Sequence, residues 1–189
     1  GKEKIKRLDP KDTNLHTIPV TPISYGEAKK ILGQMKGNPV PLSWQGGLPF
    51  TYRLQGGKNL IVNLKVDQPR NMVRVYNVIG KLKGSTFPDE WIILGCHYDA
   101  WGFGATDPNS GTAMLLSLSE TLGKMAENGF RPKRSILIGH WDAEEHGVIG
   151  STEWVEQMQI QLKSKAIAYM NFDGGVSGTN FGASSAPSL

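Results

Sequence analysis

The chain has 189 residues, of which 39% are hydrophobic and 20% are charged, as in an ordinary globular protein. No apolar run approaches the roughly 20 residues of a membrane-spanning helix, and the first residues lack a signal-peptide pattern. The formal net charge is +4, and much of the excess lies in residues 1–11. Because no aromatic residues alternate with these bases, we interpret the segment as a solvated terminus and expect no nucleic-acid partner.

The sequence up to about residue 84 predicts extended segments and one helix. Residues 18–23 contain two prolines and are typical of an extended segment. Ser24 is a suitable N-cap for a helix over residues 26–35. Two apolar or alternating runs, 59–66 and 72–83, favour strands. A turn-like stretch at residues 84–85 then predicts a domain boundary.

From residue 91 onward, short apolar runs alternate with longer helical patterns. Strands are predicted at 91–96, 135–139 and 166–172, with a helix at 110–127 and another that Ser151 or Thr152 caps and that ends near 163. The order β-α-β-α-β predicts an α/β fold with a mainly parallel sheet and helices on its faces.

Residue types that bind metals follow these predicted strands or begin the long helix: His97, Asp107, Glu144, Glu145 and Asp173. The carboxyl ends of strands in an open sheet are where such folds place their chemistry. One imidazole and several carboxylates suit a divalent metal such as zinc, and a spare carboxylate beside the ligands suits metal-assisted hydrolysis. Asp99 is placed to accept the second imidazole N–H of His97.

Each of these residues also has a plainer interpretation. A single His-x-Asp is usually a satisfied polar pair, a Glu-Glu pair a solvated helix start, and an Asp after a strand a turn former. Their combination around one β-α-β segment favours the metal site.

His140 and His146 flank the glutamates, and we expect outer or solvated positions for both. Cys96 is the only cysteine, so no internal disulfide is possible, and we expect it to be a small buried residue.

Several motifs resemble one known family closely. They are VYNVIG at 75–80, DPNSG at 107–111, the run 141–154 with GSTEW at its end, and the extended segment 18–23. Over about residues 14–189 the sequence resembles the glutamate carboxypeptidase II branch of the zinc-dependent peptidases, which includes the transferrin receptor ectodomain. The resemblance implies that residues 85–189 are the N-terminal part of a zinc-exopeptidase-like α/β domain, with a mainly parallel or mixed sheet and helices on both faces. It also implies that residues 1–84 are the later part of a protease-associated (apical) domain.

The resemblance also implies roles for the candidate site residues. His97 and Asp173 would bind one zinc, Glu145 the second, and Asp107 both. Glu144 would be the general base for hydrolysis of a peptide substrate, with Asp99 as a further residue of the catalytic site. The complete enzyme would hold two Zn²⁺ ions. Asp107-Pro108 is expected to be a cis peptide, because relatives often have an unusual bond there.

Further expectations concern the whole protein. Glu153 and Glu156 match positions that hold a structural calcium in the family, and hard carboxylate oxygens suit Ca²⁺. The family's remaining zinc-ligand histidine lies past Leu189, so we expect an internal fragment that is nearly inactive alone. The resemblance implies that the complete protein is a homodimer and extracytoplasmic, either periplasmic, secreted or a membrane-anchored ectodomain.

Two alternatives to a zinc exopeptidase remain at this point. One is a catalytically inactive binding ectodomain like the transferrin receptor, since such relatives lose metal ligands. Here every ligand position within the chain is filled, and so is that of the base, which favours the enzyme. The other is an acyl-transferring relative with one zinc, such as a glutaminyl cyclase, which the match over 141–154 disfavours.

Overall fold

The structure is a computed structural model, and it describes residues 8–14, 16–69, 71–176 and 178–187. The predicted solvated terminus lies mostly outside these residues. The chain divides into two compact units, with the boundary between Asn71 and Met72. No helix among the described residues is long and apolar enough to cross a membrane.

The earlier unit contains short elements and a two-stranded sheet. A 3-10 turn at Pro10–Asp12 precedes helix α1 (Tyr25–Leu32), strand β1 (Lys36–Pro39), a second 3-10 turn (Leu42–Trp44) and strand β2 (Arg53–Gln55). β1 and β2 are antiparallel. Ser24 caps α1 as predicted, because its side chain accepts a hydrogen bond from the Glu27 N–H (3.3 Å). None of the described residues before 72 is buried.

The predicted strand at 59–66 is wrong, since these residues have no regular structure. Alternation of apolar residues gives a chain the capacity to form a strand, but a strand also needs an edge to pair with. No described residue pairs with this run, and Ile61 is 83% exposed. The run 72–83 forms a strand only at its end.

The later unit is built on a four-stranded mixed sheet. Its strands are β3 (Val78–Leu82), β4 (Phe87–His97), β5 (Arg134–Trp141) and β6 (Ala166–Asn171), in the order β3-β5-β4-β6. β4 is parallel to both β5 and β6, whereas β3 is antiparallel to β5. Helices α2 (Asn109–Glu127), α3 (Ile149–Gln157) and α4 (Gln159–Lys165) connect the parallel strands. The predicted α/β order is confirmed.

The central strands β4 and β5 are covered on both faces, whereas most residues of β3 and β6 are exposed. Successive side chains of a strand point to opposite faces, so each central strand contributes to two clusters. On one face Leu94 and Cys96 pack with Leu115 of α2. On the other face Trp91 and Ile93 pack against side chains of α3, α4 and the link between them, namely Trp154, Met158 and Leu162. Cys96 is fully buried, as predicted.

The start of α3 differs from the prediction. Neither Ser151 nor Thr152 caps the helix, which begins at Ile149 after Val148 in a left-handed conformation (φ 59°). The single predicted helix is divided at Met158 into α3 and α4. The proposed domain boundary at 84–85 stays a prediction. Strand β3 precedes this predicted boundary in the sequence, although it pairs with β5 of the four-stranded sheet.

Candidate metal centre

The carboxyl ends of three parallel strands meet at one edge of the sheet. His97 is the last residue of β4 and is in register with Trp141, the last residue of β5. β6 runs alongside β4, and the Phe172 N–H donates to the Gly95 oxygen (2.9 Å) just beyond the end of β6. Asp173 follows directly. The parallel arrangement therefore brings residues that are far apart in sequence to one edge.

His97 is the centre of this group and is only 3% exposed. Its Nε2 lies 2.9 Å from Asp107 Oδ1 and 3.0 Å from Asp173 Oδ1. One ligand atom from each residue lies within 4.8 Å of the other two. The structure therefore brings together three of the four residues predicted as zinc ligands.

The hydrogen bonds of the imidazole indicate what this group binds. Nδ1 lies 2.9 Å from the main-chain oxygen of Asp99, which only accepts, so Nδ1 carries a proton. Nε2 faces two carboxylate oxygens. Acceptors that lie this close together need either a shared proton or a bound cation between them. The donor set of one imidazole and two carboxylates fits a divalent metal.

The loop before α2 sets the position of Asp107. The Asp107-Pro108 peptide is cis, which confirms the prediction. Inside the loop the Asn109 N–H donates to the Gly104 oxygen (2.9 Å), and in the first turn of α2 the Thr112 hydroxyl donates to the His97 oxygen (2.7 Å). This contact ties the helix to the strand that carries His97.

Gly111 lets α2 approach the end of β6. A Cβ at this position would overlap the main-chain oxygens of Phe172 and Asp173. Only a residue without a side chain therefore allows the start of α2, with Asp107 just before it, to lie against the segment that carries Asp173.

Glu144 and Glu145 lie in the turn after β5. Glu144 Oε2 is 3.9 Å from His97 Nε2. Asp99 holds this turn, because its carboxylate accepts the main-chain N–H groups of Glu144 (2.9 Å) and Glu145 (3.2 Å). The same carboxylate is 3.5 Å from His97 Nδ1, farther than the main-chain oxygen of Asp99. Its closest partners are thus the two glutamate N–H groups.

The remaining candidates lie outside the three-residue group, as far as the described residues show. Glu145 is half-buried beside Glu144 but does not contribute an atom to the group. Glu153 and Glu156 are exposed on α3. His146 is exposed and contacts Trp101 edge-on (5.0 Å between ring centroids). His140 is half-buried in β5, and burial lowers its pKa.

The pKa values of Glu144 and His97 are both raised. Burial raises the pKa of Glu144, and the nearby charges of Asp173, Glu145 and Asp99 raise it further, against the opposing effect of His97. Burial lowers the pKa of His97, but the hydrogen bond and charge of Asp173, with the charge of Glu144, more than offset this, so its pKa is raised. Both groups therefore hold protons more tightly than usual.

A cavity of about 690 Å³ adjoins the group, and His97, Glu144 and Asp173 line part of its wall. The rest of the wall is largely apolar and includes Trp154 and Tyr169.

The sequence pattern did not identify Trp154 or Tyr169 as site residues, since apolar positions in helical or strand register carry no sign of facing a site. Thr112 was missed for a similar reason, because a threonine inside a helix has no distinctive signal.

Comparison with known proteins shows which family the chain resembles. The family model described as Peptidase family M28 matches residues 77–185. The probable glutamate carboxypeptidase VP8 of Zea mays is 43% identical over 173 residues, which are 92% of this chain and 24% of that protein. Aminopeptidase NAALADL1 of Mus musculus is 38% identical over 177 residues, 88% of this chain and 24% of that protein.

Solved structures match part of the chain. A zinc aminopeptidase from Bacillus subtilis is 26% identical with a TM-score of 0.45, covering 52% of this chain and 24% of that one. A peptidase M28 precursor from Shewanella amazonensis is 33% identical with the same TM-score, covering 49% and 21%. The chain spans about a quarter of the length of the curated relatives it matches.

Proposed function

This chain belongs to peptidase family M28, and on that premise we propose that it carries the main part of a zinc-dependent active site that hydrolyses peptide bonds. The observation that carries the proposal is the convergence of His97, Asp107 and Asp173 at one sheet edge. A half-buried glutamate with a raised pKa, Glu144, lies beside them. Raised carboxyl pKa values beside such a group are typical of active sites.

We assign the metal ligands as the family resemblance implies. His97 and Asp173 would hold one zinc, Asp107 would contact both ions, and Glu145 would hold the second. The hydrogen bond from Nδ1 of His97 to the Asp99 oxygen supports this assignment, because it leaves Nε2 to face the metal. Zinc bound there would lower the pKa of a water molecule and polarise the substrate carbonyl.

Glu144 is the general base in this proposal. A carboxylate accepts a proton from the attacking water most effectively when its pKa lies near the working pH, and burial moves the pKa of Glu144 in that direction. Once protonated, Glu144 would deliver the proton to the amine of the departing peptide fragment. The Asp99 carboxylate, which holds the N–H groups of Glu144 and Glu145, keeps both side chains at the strand edge.

The properties of the whole protein are also proposals. Its relatives carry names of both carboxypeptidases and aminopeptidases, so we leave open which end of the peptide is cut. We retain the protease-associated domain before residue 85, a structural Ca²⁺ at Glu153 and Glu156, a homodimer and an extracytoplasmic location as expectations from the family resemblance.

Metal reconstitution tests the proposed function. The protein that carries this chain is stripped with a chelator, and hydrolysis of an unblocked peptide is then measured as zinc is added. Activity should return with zinc in wild type but not in Asp107→Asn, which removes a charged ligand. Asp67→Asn, at an exposed aspartate before residue 72, is the matched control and should behave like wild type. A fully folded wild type that binds no zinc and cleaves no peptide would instead favour an inactive binding ectodomain.

A further inference from the structure

We propose that Asn77 is a positioning residue for Glu144, acting as a clamp that closes the turn after β5. This inference rests on the proposed role of Glu144 as general base. Asn77 does not contact the metal group or the cavity among the described contacts. Its side chain instead joins the two ends of the turn that carries Glu144 and Glu145.

The topology of the sheet explains why Asn77 is there. β3 is antiparallel to β5, with Val78 in register with His140. Asn77, which precedes β3, therefore lies beside the residues that follow β5. This is the sheet edge at which His97, Asp107 and Asp173 converge. The one antiparallel strand of the sheet thus brings its amino-terminal end, and not its carboxyl end, to the site.

The hydrogen bonds define the clamp. The amide oxygen of Asn77 accepts the Asp142 N–H (3.1 Å), and its amide nitrogen donates to the Gly150 oxygen (2.7 Å). Asp142 and Gly150 are also hydrogen-bonded to each other, since the Gly150 N–H donates to the main-chain oxygen of Asp142 (3.0 Å). One side-chain amide thereby satisfies a donor at one end of the turn with its oxygen and an acceptor at the other end with its nitrogen.

The turn needs such a constraint because it is strained. Ala143 (φ 54°) and Val148 (φ 59°) both adopt the left-handed conformation that residues other than glycine rarely occupy. Strained residues persist only where surrounding contacts hold them. Ala143 directly precedes Glu144, so relaxation of its backbone would change the direction of the Glu144 side chain.

Neighbouring contacts fit this interpretation. A Cβ at Gly150 would overlap both the Asp142 oxygen and the Asn77 amide oxygen, so the clamp requires glycine there. The main chain of the adjacent Tyr76 is also held. Its N–H donates to the Asp142 carboxylate (2.8 Å), and its main-chain oxygen accepts a hydrogen bond from the Tyr98 hydroxyl (2.6 Å). With Asp99 bonded to the N–H groups of both glutamates, the turn is fixed from two sides.

The first test separates turnover from substrate binding. In the zinc-loaded protein, Asn77→Ala should lower kcat by about 10- to 100-fold, the cost of a misplacement of about 1 Å, with KM changed less than about twofold. Zinc content should stay at the wild-type level. Asn77→Ser, whose hydroxyl can satisfy one end of the clamp, should give an intermediate kcat and serves if the alanine variant does not fold. The matched control is Asn128→Ala, which removes a side chain bonded to the Lys124 oxygen at the end of α2.

A double-mutant cycle tests whether Asn77 acts through Glu144. Asn77→Ala should reduce kcat much less in a Glu144→Asp background than in wild type, because the base is already displaced. An equal loss in both backgrounds, or a wild-type kcat in folded Asn77→Ala, would overturn the inference.

Amide hydrogen exchange separates this inference from the proposed function. Exchange across residues 142–150 should accelerate in Asn77→Ala and stay unchanged in Asn128→Ala. If the wild type shows no peptidase activity, the proposed function fails, and unchanged exchange in Asn77→Ala would additionally show that the clamp does not exist.

Discussion

The two units of the chain differ in what their strands bury. In the earlier unit two short antiparallel strands form the only sheet among the described residues before 72, and none of those residues is buried. In the later unit helices cover both faces of the central strands β4 and β5, which bury residues such as Leu94 and Ile93 in separate clusters. A two-stranded sheet gives marginal stability at best, whereas a sheet covered on both faces supports a core.

This difference explains where the chemistry lies. Two of the three converging residues belong to the covered part of this unit, because His97 ends β4, whose later residues are buried, and Asp107 precedes α2, which packs on the sheet. Asp173 instead follows β6, whose residues are mostly exposed, and is held by the close approach of Gly111 to the main-chain oxygens of Phe172 and Asp173. The geometry of the site therefore depends on the core of the later unit, a dependence that substitutions in the two units can test.

The largest effect is expected at the contact between α2 and the end of β6. Gly111→Ala puts a methyl group onto main-chain oxygens that cannot rotate away, so we expect a loss above about 4 kcal/mol in the free energy of unfolding, in the range of the most damaging substitutions. At Gly26, inside α1 of the earlier unit, a Cβ would make only an ordinary van der Waals contact with Ser24 Oγ (3.7 Å), so Gly26→Ala should stabilise by up to about 1 kcal/mol. Chemical denaturation followed by circular dichroism measures both. Similar stability of the two variants would contradict the account.

A smaller loss is expected from a cavity in the core. Leu115 is fully buried between α2 and the sheet, and Leu115→Ala should cost about 2–5 kcal/mol, as in other buried leucines. Leu54→Ala removes the same atoms from a half-exposed side chain in β2 and should change stability by less than about 0.5 kcal/mol. Equal losses at the two positions would show that the earlier unit has a core of its own.

The smallest effect concerns pH in the metal-free protein. The pKa values of His97 and Glu144 are both raised in the folded state, so the folded protein binds protons more tightly than the unfolded chain at these two groups, whereas the lowered pKa of His140 has the opposite effect. The stabilisation that His97 and Glu144 contribute should therefore fall as the pH rises from the ordinary pKa of each group, 4.5 for Glu144 and 6.5 for His97, to its higher folded value.

Thermal unfolding in the presence of a chelator, at a series of pH values from about 4 upward, measures this dependence. Above pH 6.5, the melting temperature of wild type should fall more, or rise less, with pH than that of His97→Gln. His16→Gln, which changes an exposed histidine of the earlier unit, should behave like wild type. The opposite difference between wild type and His97→Gln would show that the sign is wrong.

The sequence predicted the later unit well because its signals are local. Apolar runs bounded by turns mark β4, β5 and β6, and the β-α-β order fixes the parallel arrangement that brings His97 and Asp173 to one edge. The family resemblance supplied the cis bond at Asp107-Pro108.

Features that depend on distant contacts were not predictable from the pattern. The strand expected at 59–66 has no edge to pair with among the described residues, and alternation alone does not supply one. Ser151 and Thr152 have the chemistry of helix caps, but the strained turn at Val148 begins α3 earlier. The bonds of Asp99 to two glutamate N–H groups and of Asn77 to Asp142 and Gly150 join residues far apart in sequence.

The central claim is that Glu144 moves protons while its neighbour Glu145 binds metal. Its most direct test is to measure zinc content and kcat together for Glu144→Gln and Glu145→Gln in the protein that carries this chain. We predict that Glu144→Gln keeps wild-type zinc content and loses about 10²- to 10⁴-fold in kcat, the usual contribution of a general base, while Glu145→Gln loses zinc. Zinc loss in Glu144→Gln with retention in Glu145→Gln would contradict the account and reverse the two roles.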